Sequence, residues 1–139
     1  MLSRRAAILS CAAFAATGAR AAELLEVAAL HAPEEQFSDL ARAHEGRRAR
    51  FRGYMAPPLR ADASFFVLTG VPMSICPFCD TESEWPQDML AVYADRVIEV
   101  APFYKRIEVT GTLRLGAHTD ELTGLVSRVR VENAVYAPV

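Results

Sequence analysis

Residues 105–115, K-R-I-E-V-T-G-T-L-R-L, alternate almost without a break between polar and apolar side chains. Ile107, Val109, Gly111, Leu113 and Leu115 fall on one face, and Glu108, Thr110, Thr112 and Arg114 on the other. A period of two marks a strand with one buried face, whereas a helix would scatter the same apolar residues around its whole circumference. This stretch therefore has to sit in a sheet, and it needs a partner of the same kind. Residues 125–136 supply one, with Val129 and Val131 inward and Arg128 and Arg130 outward. The polar loop 116–124 between them, which carries His118, Asp120 and Glu121, makes the pair a hairpin.

Three more strands are expected upstream. Residues 48–55 alternate Ala49, Phe51, Gly53 and Met55 against Arg48, Arg50, Arg52 and Tyr54, and Pro57-Pro58 ends the run because neither proline donates to a ladder. Gly53 inside a strand suggests a bulge or tight bend. Residues 64–69 (S-F-F-V-L-T) and 87–94 (Q-D-M-L-A-V-Y-A) are short apolar runs, the second apolar on both faces and so expected to be central. Five strands in so short a span, with a glycine in mid-strand, predict a mainly β fold. The expected plan is a five-stranded OB-like small barrel over 47–139, with a β-sandwich as the alternative.

The segment 22–46 is expected to be helical. Residues 23–30 are apolar and alanine-rich, and Pro33 suits a first helical position with Glu34 and Glu35 at the positive end. Phe37, Leu40, Ala41 and His44 repeat at helical spacing, and Gly46 follows as the stop. His44 on that face is read as a partnered histidine in preference to a ligand. Residues 1–21 read as an export signal, with Arg4 and Arg5 ahead of an apolar run and Ala19-Arg20-Ala21 as the cleavage pattern. The run is about 11 residues against roughly 20 for a spanning helix, so no stable membrane span is expected after signal removal. The paired arginines in S-R-R-A-A-I-L point to twin-arginine export. A lipoprotein reading at Cys11 leaves only residues 6–10 as apolar core, and a soluble periplasmic protein is expected instead.

Removing the signal takes away three arginines and no acid, leaving 12 basic and 17 acidic residues and a net charge of −5. That balance opposes nucleic-acid binding. It also leaves two cysteines, Cys76 and Cys79, in an oxidising compartment. They lie in residues 71–86, V-P-M-S-I-C-P-F-C-D-T-E-S-E-W-P, with Asp80, Glu82, Glu84 and the only tryptophan, Trp85. C-P-F-C resembles the active-site loop of thioredoxin-like oxidoreductases, in which Cys76 would be the exposed nucleophile. That fold needs a long helix after the second cysteine, and Trp85-Pro86 interrupts it.

Local charge also ranks the chemistry. No Lys, Arg or His occurs from Ala61 to Asp95, while six acids do. Negative neighbours disfavour a thiolate nucleophile but favour a cation. Two thiolates with Asp80, Glu82 or Glu84 as further ligands suit a borderline divalent ion, Zn²⁺ first. A structural zinc site takes four protein ligands, so a carboxylate or a histidine has to complete the set. His118 is expected at the opposite end of an OB-like barrel and so out of reach. The competing reading is a structural Cys76–Cys79 disulfide, worth only ~2 kcal/mol for so short a loop. Arg50 and Arg52 either face an acidic partner or pair with nearby acids. No Ser–His–Asp set, phosphate-binding glycine loop or carboxylate pair points to a hydrolase, and an enzyme is the less favoured class.

At G-Y-M-A-P-P-L (53–59), F-F-V-L-T (65–69), V-P-M-S-I-C-P-F-C, W-P-Q-D-M-L-A-V-Y and V-T-G-T-L, the chain resembles an uncharacterised exported bacterial family. That family combines a G-[FY]-M-x-P strand, a cysteine-containing loop and a V-x-G-x-L strand. The resemblance covers about residues 34–139. It implies a small OB-like envelope protein, often associated with ABC-transporter components and in some members with metal supply. No catalytic residues carry over from it.

Overall fold

The computed structural model describes residues 21–34, 36–74 and 88–139. In chain order the elements are β1 (Leu24–Glu26), a 3-10 turn (Val27–Leu30), β2 (His31–Ala32), β3 (Gln36–Phe37), α1 (Asp39–His44), β4 (Arg48–Met55), β5 (Phe65–Thr69), β6 (Met89–Ala94), β7 (Arg106–Thr119) and β8 (Val126–Pro138). The main sheet runs β1-β4-β5-β6-β8-β7, and β4 also pairs with β7 along its length, from Arg48↔Thr112 to Tyr54↔Arg106. That last pairing closes a five-membered ring, β4-β5-β6-β8-β7, in which only β6 and β8 run parallel. This is the OB-like barrel expected from the strand pattern; closure removes most of its edges, and part of β4 is left unpaired by β5.

Burial follows the alternation. Ile107, Val109, Gly111 and Leu113 point inward along β7, and Ala49, Phe51, Gly53 and Met55 along β4. Phe66, Leu68, Leu90, Val92, Val129 and Val131 complete the same core. Each large side chain buried there contributes roughly 1.5–3 kcal/mol of transfer free energy. The period breaks on β8 at Asn133, whose φ is +50°. Thr112 pairs with Glu132 and Thr110 with Val135, so Asn133 and Ala134 together oppose Gly111. This is a bulge that turns Ala134 back into the core, and asparagine tolerates the left-handed backbone it needs.

The segment 22–46 departs from the helical expectation. Leu24–Glu26 is a strand, parallel to β4 with Leu25 opposite Phe51, because its backbone finds the free edge of β4 beside β5. Pro33 does not begin a helix. Glu34 turns the chain with φ +60°, and β2 pairs with β3 on either side of it. The helix starts six residues after Pro33, at Asp39, where the Ser38 hydroxyl accepts from Ala41 N at 3.1 Å and donates to Ala29 O at 2.6 Å. A serine cap outranks the proline as the start signal. Gly46 follows with φ +75°, its N–H donating to Leu113 O at 2.8 Å, and so ties the helix to β7. Leu25, Val27, Leu30 and Ala41 join the barrel core from this segment.

Candidate functional site

Cys76, Cys79, Asp80, Glu82, Glu84 and Trp85 all lie in 75–87, outside the described residues. The described residues give the frame on which that stretch is hung. Thr69 and Met89 are opposite each other at the ends of β5 and β6, and Gly70 N donates to Asp88 O at 3.0 Å. The buried Thr69 hydroxyl lies 2.6 Å from Val71 O and 3.3 Å from Tyr54 O; its single proton goes to the nearer acceptor and fixes the outgoing chain. Ala56, Val67 and Met89 form a small apolar cluster just outside the barrel, joined by Met73 and Leu125.

Leu125 overturns one expectation. The 120–125 loop precedes β8 and the 70–88 loop precedes β6, and these strands are parallel with Ala91 opposite Arg130. Both loops therefore lie at the same end of the barrel, not at opposite ends. His118 is still engaged elsewhere, its ring perpendicular to that of Tyr93 at 5.5 Å. Tyr93 stacks on Phe65 at 5.2 Å, and its phenol is pushed up to about 12 by burial and then by the nearby Asp120 carboxylate. Phe65, Val67 and Met89 are all buried, so the outer surface of β5 and β6, which OB-like barrels use for oligonucleotides or sugars, is packed by the chain's own side chains.

The residue that sequence reading missed is His31. Its Nε2 is buried and has no hydrogen-bond partner among the described residues. Burial lowers its pKa, partly opposed by the Met89 carbonyl, with Arg128 lowering and Asp88 raising it further. The ring thus stands beside Met89 and Asp88, where the cysteine-bearing segment rejoins the barrel. Nothing local in L-H-A-P marks this; the parallel pairing of β1 carries the residue there. Among the described residues, no three His, Cys, Asp or Glu side chains stand together as a metal site.

Arg50 and Arg52 are held by one carboxylate. Arg50 Nη1 lies 3.2 Å from Glu108 Oε1, and Arg52 Nε lies 3.0 Å from Glu108 Oε2, across the β4–β7 pair. Glu132 is gripped in the same way by Arg130 at 2.9 Å and Arg114 at 3.4 Å. The hydrogen bond from Arg52, then that from Arg50, holds the Glu108 carboxyl below its ordinary 4.5. Burial alone raises Glu132, but Arg130 and Arg114 outweigh it and the net shift is downward. Carboxyls lowered on folding stabilise the protein above pH 4.5, and that contribution disappears as the pH falls through their folded values. Urea midpoints followed from neutral pH into acid are expected to drop more steeply for the wild type than for Glu108→Gln; parallel curves would refute the assignment. His44, as expected, is partnered: Nδ1 meets Leu40 O at 2.8 Å and Nε2 meets Glu23 Oε2 at 3.1 Å.

Fold and frame define an OB-like barrel with a cysteine-bearing insertion between its second and third barrel strands. No family model matches the sequence, and no curated protein matches it. Among solved structures, the chain is similar to a DUF3299 family protein from Pseudomonas aeruginosa, with a TM-score of 0.49 and 18% identity over 83% of this chain and 74% of that one. Among the described residues no helix is long and apolar enough to cross a membrane.

Proposed function

We propose that this chain is an exported periplasmic accessory protein that handles a divalent metal, zinc first, through Cys76 and Cys79. The observation that carries the reading is the thiol pair within the stretch from Ala61 to Asp95, which contains no cationic side chain. Asp80, Glu82 and Glu84 are the carboxylate candidates from the sequence. His31 adds an imidazole at the stem of the same segment whose Nε2 makes no hydrogen bond among the described residues and whose neutral form burial favours, which suits a metal ligand better than a paired side chain does. Twin-arginine export would carry such a protein out folded and already loaded. Its resemblance to exported proteins associated with ABC-transporter components makes an envelope transport system the expected partner. Arg50 and Arg52 are a weaker docking surface than their sequence suggests, because Glu108 already engages both.

Elemental analysis and thiol titration of the protein lacking residues 1–21 test the proposal. One zinc per chain, with two thiols that become reactive after chelation, is the expected result. His31→Gln is expected to weaken zinc binding about tenfold or more. A metal-free protein with an oxidised Cys76–Cys79 pair would overturn the metal reading and leave the disulfide one.

A further inference from the structure

We propose that the cleft between the 95–105 connector and the C-terminal end of β8 binds a small amphipathic carboxylate, its apolar body on the cleft floor and its charge between Arg96 and Lys105. The cavity is about 310 Å³, at the small end of the range for ligand sites. Its apolar lining includes Val100, Ala101, Pro102 and Tyr136, over the buried Ile107 of the barrel core.

The walls are held firmly. The Tyr136 hydroxyl accepts from Glu99 N at 2.8 Å and donates to Glu99 O at 3.1 Å, clamping the connector to β8. Ile98 N donates to Ala63 O at 3.1 Å, and Ala101 N reaches Met55 Sδ at 3.4 Å. A connector tied at Ile98, Glu99 and Ala101 keeps the cleft open without a ligand, which lowers the ordering cost of binding.

Charge chooses the ligand. Arg50, Arg52, Arg60, Arg114 and Arg130 each have a carboxylate partner, but among the described residues neither Arg96 nor Lys105 forms an ion pair. The Arg96 guanidinium instead lies 5.9 Å from the Tyr136 ring centroid, which aligns it along the cleft wall. Glu99 is the acid lining the cleft, so two cations face one anion and the site is left with a single unmatched positive charge. That suits a monocarboxylate and disfavours a phosphate, whose second charge would meet Glu99. An uncharged chain would leave that charge unmatched.

Octanoate, 1-octanol and octylammonium, titrated into the purified protein and followed by amide NMR, separate the outcomes. Octanoate is expected to shift Arg96, Val100, Lys105 and Tyr136, and octanol to bind about tenfold more weakly. Arg96→Gln with Lys105→Gln, both at exposed positions, is expected to cost about tenfold in octanoate affinity, a few-fold for each exposed pair, at an unchanged melting temperature. Equal binding of octanol or octylammonium, an unaffected double variant, shifts confined to other regions, or no octanoate binding at millimolar concentration would each overturn the proposal.

Discussion

Gly53→Ala is expected to destabilise the barrel by about 3 kcal/mol, at the upper end of what overpacking costs. Gly53 lies on β4 where the strand leaves β1 and begins to pair with β5. A Cβ there would run into the Thr69 carbonyl oxygen and lie 3.1 Å from Leu68 Cγ. The carbonyl belongs to the strand partner of Tyr54, so it has nowhere to go without breaking the β4–β5 pairing. A loss of that size lowers the melting temperature by roughly 10 °C in a domain of this length. Gly111→Ala meets a similar wall in Val131 and in Glu132 O at 2.8 Å, where the Asn133 bulge folds β8 inward. Gly70→Ala is the control: its Cβ would meet Asp88 Cβ at an ordinary 3.5 Å, and a change within about 0.5 kcal/mol is expected. Urea midpoints at constant m-value measure all three. Equal effects at positions 53 and 70 would refute the close approach as the cause.

Phe51→Ala is expected to cost about 3–5 kcal/mol. The side chain is fully buried at the centre of β4, with Leu25 of β1 and Val109 of β7 opposite it on the two neighbouring strands. Those neighbours are fixed by main-chain pairing, so the space left by the ring stays a cavity. Phe51→Leu fills part of that space and should recover at least half of the loss. Phe103→Ala, at a position 41% exposed, should fall within about 0.5 kcal/mol of wild type. A small effect at Phe51 would mean that β1 moves in to close the gap. The parallel pairing of β1 with β4 would then be looser than the backbone geometry requires.

The difference between these glycines also marks how far the sequence could be read. Gly53 and Gly111 both sit at inward positions of alternating strands; the β4–β7 register runs through Gly53 without the bulge suggested there, and only the inward placement was readable from the sequence. That Gly111 faces a bulge was not, because the bulge lies on β8 at Asn133, in a run whose alternation looks regular until the partner strand is aligned. The same distinction applies at the candidate site. The C-x-x-C spacing and its acidic neighbours are local and plain in the sequence. His31 is distant in sequence, lies in a stretch read as helical, and gains its meaning only from where the N-terminal segment docks.

Period-two alternation and turn chemistry are properties of a few consecutive residues, set by the alternating direction of Cβ atoms along a strand. They were enough to establish the barrel strands, the inward faces of β4, β7 and β8, and the OB-like plan. Helix start, strand register and loop placement depend instead on contacts between distant residues. Only the tertiary structure decided that β1 pairs parallel to β4, that Ser38 and not Pro33 opens the helix, and that Glu108 takes up both Arg50 and Arg52. Parallel pairing of β6 with β8 likewise brought the 70–88 and 120–125 loops to one end, because parallel neighbours begin on the same side.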